Sequence, residues 1–135
     1  MKFEDFWYVV AESKGLKANQ VIFRQILGEW LAIFRDAQGQ AIAFQDRCLH
    51  RQARLSCGKV KAGHLQCPYH GWVYDETGKV VAIPAEGESF TPRHSLQAKT
   101  YQTLEQEGLI YVCLGEPYQA PFSLPHYGDR GWWRV

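Results

Sequence analysis

Apolar residues in this chain come in short runs, rich in β-branched and aromatic types, set between turn-forming residues, and no long stretch keeps helical spacing. Residues 21–27 and 30–35 flank Gly28-Glu29 as a predicted hairpin, and the polar turn 36–40 leads into a third strand over 41–46. Further short strands are predicted at 65–67, 72–74, 80–83, 97–104 and 109–114. Asp75-Glu76-Thr77-Gly78-Lys79 turns between the 72–74 and 80–83 strands. One helical turn is expected near 12–16, weakened by Gly15. Together these elements predict an all-β domain of small antiparallel sheets, compact or barrel-like.

Beyond Gly115 the pattern changes. Pro117, Pro121 and Pro125 make residues 116–135 a proline-rich connector rather than a central strand, so residues 1–115 form the predicted domain. The connector leads to Trp132-Trp133, which are costly to expose and are expected to pack on this domain or on a partner.

Composition narrows the picture. A chain of 135 residues suffices for one domain that buries roughly two thirds of its unfolded surface. Fifteen Lys and Arg against fourteen Asp and Glu give no basic field for nucleic acid or an anionic membrane, and no run of apolar residues is long enough to span a bilayer. Acidic residues near the start and a short apolar run at 6–11 do not resemble a secretory signal, so a cytoplasmic location is expected.

In that setting the four cysteines favour metal binding over two disulfides, because two of them stand beside histidine. Cys113 lies in the apolar run 109–114 and reads as core, while Cys57 lies in a probable loop, where an inert thiol is weighed against a redox or ligand role. The chemistry concentrates in Cys48-Leu49-His50 and, after sixteen intervening residues, Cys67-Pro68-Tyr69-His70-Gly71-Trp72. Each segment puts one thiolate and one imidazole on a short loop, and a hairpin between the loops would bring all four together. Two metal centres use this donor set. A zinc ion takes it as one tetrahedron, whereas a Rieske-type 2Fe-2S cluster takes both thiolates on one iron and both imidazoles on the other. Four unligated residues are the remaining reading; His64, His94 and His126 lack such context and read as surface or structural residues.

The text around the ligands resembles the Rieske non-haem iron oxygenases, which hydroxylate rings or remove methyl groups. It comprises Asp46-Arg47-Cys48-Leu49-His50-Arg51, Leu55-Ser56, Gly58, Leu65-Gln66-Cys67-Pro68-Tyr69-His70-Gly71-Trp72-Val73-Tyr74-Asp75, Gly78, Ile83-Pro84 and the early Trp7-Tyr8-Val9-Val10-Ala11. Respiratory Rieske proteins carry an extra cysteine in each loop, and Ala53 and Tyr69 stand at those places here. Arg51 and Trp72 resemble the oxygenases more than the small Rieske ferredoxins, while Gln52 departs from a frequent glycine.

The resemblance implies a Rieske-type fold with a cluster-binding subdomain, one 2Fe-2S cluster on Cys48, His50, Cys67 and His70, and single-electron transfer with no catalytic residue in this chain. It implies a reductase or ferredoxin as electron donor, a non-haem iron oxygenase domain as acceptor, and a homotrimer. His70 would be the exit ligand. Tyr74 matches a tyrosine that donates to a cluster cysteine in high-potential relatives, and Trp72 replaces their serine donor. The family's catalytic domain, with its Asp-x2-His-x4-His pattern, is not found in this sequence. The rival expectations are a free-standing Rieske ferredoxin and a small nitrite-reductase-like or regulatory redox module.

Overall fold

The computed structural model describes residues 2–49, 53–92 and 96–121. Ten strands among the described residues form two antiparallel sheets. The larger holds β1 (Trp7–Glu12), β2 (Val21–Ile26), β3 (Glu29–Arg35), β4 (Ala41–Gln45), β9 (Thr100–Gln106) and β10 (Leu109–Cys113), in the order β1-β10-β9-β4-β3-β2. The smaller holds β5 (Lys59–Lys61), β6 (His64–Gln66), β7 (Val73–Tyr74) and β8 (Val80–Ala82) in sequence order. Short 3-10 turns at Phe3–Asp5, Ser13–Gly15, Leu55–Cys57 and Pro84–Ser89 complete the regular structure.

Three hairpins share one device. Leu27-Gly28, Ala62-Gly63 and Glu107-Gly108 all have positive φ at both residues, the geometry of a type I′ turn whose twist matches the flanking strands. The first turn is therefore centred one residue earlier than Gly28-Glu29, and Glu29 already belongs to β3. The expected helical turn is the 3-10 turn Ser13–Gly15.

Strands β3 and β4 are apolar on both faces because they separate two cores. Ala32, Phe34 and Phe44 face a cluster with Cys48, Leu55, Val60, Leu65, Cys67, Tyr74 and Val80. Their neighbours Leu31, Ile33, Ala41 and Ala43 face a second cluster with Val10, Leu16, Ile110 and Val112. Strict alternation of side chains along a strand sends successive residues to opposite faces, so one apolar run serves both cores. The large sheet also curls. β1 and β2 are its two edges, yet Arg24 Nε on β2 donates to Val10 O on β1 at 2.7 Å.

The smaller sheet is carried as an excursion from the larger one. The chain leaves after β4 and returns at β9, and these two strands are neighbours, with Ala43 opposite Tyr101. Gln45 N donates to Lys99 O at 2.8 Å at the point of departure. No helix among the described residues is long and apolar enough to cross a membrane.

Candidate metal centre

The first candidate loop starts where β4 ends. Asp46 N donates to Trp30 O at 2.8 Å, which carries the chain past the neighbouring strand, and Cys48 N donates to Ala53 O at 2.7 Å, which turns it back. Cys48 is fully buried, whereas Leu49 beside it is 43 % exposed. The loop closes on the Leu55–Cys57 turn, where Asp46 accepts the Ser56 N–H at 2.7 Å and the Ser56 hydroxyl at 2.5 Å.

The second loop follows β6. Cys67 N donates to Trp72 O at 2.8 Å, and Gln66 Nε2 donates to Gly71 O at 3.1 Å, so both ends of the turn are fastened. Inside it, Tyr69 N donates to Cys67 Sγ at 3.5 Å. His70 has φ 147, a region that L-residues rarely enter and that recurs at functional sites. Its ring is exposed and packs edge-on to Tyr69, centroids 4.5 Å apart.

The β5–β6 hairpin lies between the loops and draws them together, as the spacing of the two motifs requires. Gly58 makes this approach feasible, because a Cβ there would stand 1.9 Å from Gln66 O. The result is a pair of buried, unbridged thiols, Cys48 and Cys67. Burial pushes the Cys67 thiol up to about 11, against a lowering bond from the Tyr69 amide, and the neighbouring Cys48 thiol raises it further. Tyr74 is also fully buried, with Oη 3.2 Å from Cys48 Sγ and accepting Leu49 N–H at 3.0 Å. Burial raises the Tyr74 phenol far above its ordinary value, with Cys48 adding to the shift, so it remains a proton donor.

Of the four expected ligands, Cys48 and Cys67 meet, and His70 shares the Cys67 loop. His50 lies outside the described residues, as do Arg51, Gln52, His94, His126, Trp132 and Trp133. Among the described residues no three of His, Cys, Asp and Glu gather tightly enough for a single metal ion. Two sulfurs that meet, each with a hydrogen-bond partner against it, suit the thiolate half of a cluster that separates thiolates from imidazoles. Two soft sulfur donors in a buried, hydrogen-bonded pocket therefore fit such a cluster.

The other candidates are placed as the sequence suggests. Cys113 is buried in β10, and exposed Cys57 lines a groove of about 360 Å³ beside Gly58, Lys59, Gln66, Cys67, Pro68 and Gly71. His64 is half-buried, with Nε2 4.0 Å from Glu76 Oε2. Asp46 had no role assigned from sequence beyond its place in the motif; the sole signal was a charged residue at the end of the apolar strand expected over 41–46, which the structure ends at Gln45.

Comparison with known proteins agrees with this geometry. The family model described as Rieske [2Fe-2S] domain matches residues 6–104. The 4beta-methylsterol monooxygenase of Methylococcus capsulatus is 41 % identical over 114 residues, covering 84 % of this chain and 31 % of that protein. The oxygenase component of dicamba O-demethylase from Stenotrophomonas maltophilia is 38 % identical over 125 residues, covering 92 % of this chain and 36 % of its own. The crystal structure of dicamba monooxygenase bound to dicamba superposes with a TM-score of 0.78 at 35 % identity, over 93 % of this chain and 39 % of that one. The chain thus spans about a third of the length of these relatives.

Proposed function

This chain belongs to the Rieske [2Fe-2S] domain family, whose cofactor is a 2Fe-2S cluster, and from that premise we propose that Cys48, His50, Cys67 and His70 bind the cluster and that the chain passes single electrons as the Rieske part of a ring-hydroxylating-type oxygenase. The observation that carries the ligand assignment is the buried, unbridged Cys48–Cys67 pair with a phenol donor against it. A bound cluster of this kind takes up and gives back one electron, at a potential between roughly −150 and +300 mV. The protein's own part is to keep water from the sulfurs and to supply hydrogen bonds to them, through Tyr74 Oη at Cys48 and Tyr69 N at Cys67.

His70 is the exit side. Its exposure, together with that of Leu49 and Tyr69, supports electron passage at this end of the small sheet. The relatives' names as oxygenase components support an electron donor of the reductase or ferredoxin type and a non-haem iron acceptor. Residues 1–115 form the electron-transfer unit and 116–135 the connector, supported by the last strand among the described residues ending at Cys113 and by Gly115 and Tyr118 bonding to Glu4 and Asp5. A homotrimer and a cytoplasmic location complete the proposal, the latter supported by four unpaired cysteines.

Metal and sulfide analysis of the purified protein, with EPR before and after reduction, tests this. Two irons and two acid-labile sulfides per chain with a signal only after reduction are expected. A colourless, zinc-containing protein would overturn it.

A further inference from the structure

Asp46 is the one charged side chain buried among the described residues. Its carboxylate takes three donors: Ser56 N at 2.7 Å, Ser56 Oγ at 2.5 Å and Arg54 Nε at 3.3 Å. Its own backbone N–H is used on Trp30 O. Arg54 in turn lies over two aromatic rings of the β2–β3 hairpin, 4.2 Å from the Phe23 centroid and 4.6 Å from that of Trp30. Phe23 and Trp30 are themselves packed at 4.7 Å.

One carboxylate therefore joins three pieces of chain: the end of β4, the return limb of the first loop, and the hairpin of the larger sheet. Cys48 sits inside the closure. The bond from Cys48 N to Ala53 O closes an inner ring, and the bonds from Asp46 to Arg54 and Ser56 close an outer one. A charge this deeply buried is costly unless paired, and neutral residues could close a turn without it. Its place, two residues before Cys48, makes its charge felt at that sulfur, while the Arg54 guanidinium opposes it.

We propose that Asp46 is a positioning residue of the cluster, its carboxylate and Arg54 together fixing the first loop around Cys48 and setting the electrostatic field in which the cluster is reduced. This rests on the ligand set proposed above. Ser56 contributes to the fixing and adds no net charge to the field.

The test compares iron-loaded Asp46→Asn, Arg54→Met, Arg54→Lys and Ser56→Ala with the wild type and with Thr103→Val. The last removes a part-buried bond to Ala41 O in the larger sheet, away from both loops, and so controls for general loosening. Chelator-driven loss of visible absorbance should be about tenfold faster in Asp46→Asn and Arg54→Met, the effect of removing one partner from a buried polar group. It should be unchanged in Thr103→Val. The midpoint potential should rise in Asp46→Asn, where a negative charge is removed, fall in Arg54→Met, where a positive one is, and return in Arg54→Lys. Shifts of the same sign, or cluster loss no faster than in Thr103→Val, would overturn the proposal. If Asp46→Asn does not load iron, Arg54→Met and Ser56→Ala decide it: both should lose the cluster faster, and only Arg54→Met should shift in potential. A wild type without colour or EPR signal would instead strike the ligand assignment.

Discussion

Tyr74 Oη lies 3.2 Å from Cys48 Sγ while accepting the N–H of Leu49 at 3.0 Å, and with Cys48 a thiolate in the proposed cluster the phenol is the partner that has a proton to donate. Such a donor stabilises the reduced, more negative cluster more than the oxidised one. Tyr74→Phe should therefore lower the reduction potential by about 20–60 mV, the one-electron equivalent of a hydrogen bond of ~0.5–1.5 kcal/mol. In the wild type, voltammetry should find a value near the lower end of the range, roughly −150 mV, because Trp72 has no hydroxyl to offer a sulfur. An unshifted potential in the Phe variant would remove Tyr74 from the site.

Cys67→Ser should abolish the cluster and loosen the small sheet. No disulfide joins the two loops, so in the proposed ligand set the cluster would be the cross-link that holds them together. Iron content and near-ultraviolet circular dichroism report the two effects separately. Full iron with native dichroism would exclude Cys67 as a ligand.

Gly58→Ala tests the approach of the loops without touching a ligand. The added methyl would meet the Gln66 carbonyl at 1.9 Å, a backbone atom with no side-chain freedom to yield. Overpacking of this kind costs about 1–3 kcal/mol or more, and denaturant titration should show it. Gly39→Ala makes a contrast, since no atom stands within 4 Å of its added Cβ and backbone conformation alone opposes it.

Acid should weaken the large sheet through one ion pair. Arg35 holds Glu105 with two bonds of 2.9 Å and also donates to Leu16 O, Ser13 O and Gly39 O. The bond from Arg35 holds the Glu105 carboxyl below its ordinary 4.5. A folded value below the unfolded one gives stability that is complete above about pH 4.5 and is lost as pH falls through the lower folded value. As pH is lowered through and below about 4.5, the melting temperature of Glu105→Gln should fall less steeply than that of the wild type. Parallel curves would show that the pair carries no pH dependence.

The strands with their own apolar text were readable in advance, and so was the pairing of the two metal motifs through a hairpin. Two strands were not. β5 is Lys59-Val60-Lys61, with one apolar residue to mark it, and it exists because Val60 reaches the core beside Leu65. β1 is a bulged edge strand whose partner β10 lies about a hundred residues on, so its pairing is not local. The strand expected at 97–104 starts at Thr100 instead, because Gln97 bridges to Lys79 and Ala98 bonds to Gly78, and it runs on through polar Glu105 and Gln106 in register with β10. In the site, the meeting of Cys48 with Cys67 was legible in the two motifs, and the place of Tyr74 beside Cys48 in the resemblance. The role proposed for Asp46 could not be read there, since it depends on Arg54 and Ser56 from the return limb of the loop and on Trp30 from β3.

The departure of residues 46–98 between two adjacent strands makes that segment a cassette. The residues that flank it are already joined by the bond from Gln45 N to Lys99 O, so a short turn in its place would leave the order of the larger sheet unbroken. The core around Leu31, Ile33, Ile110 and Val112 would survive the excision intact, while Ala32, Phe34 and Phe44 would be laid bare and would need polar replacements. A chain so shortened should fold as a six-stranded scaffold without iron, and circular dichroism of the excised protein would show whether the redox device and its support are separable parts.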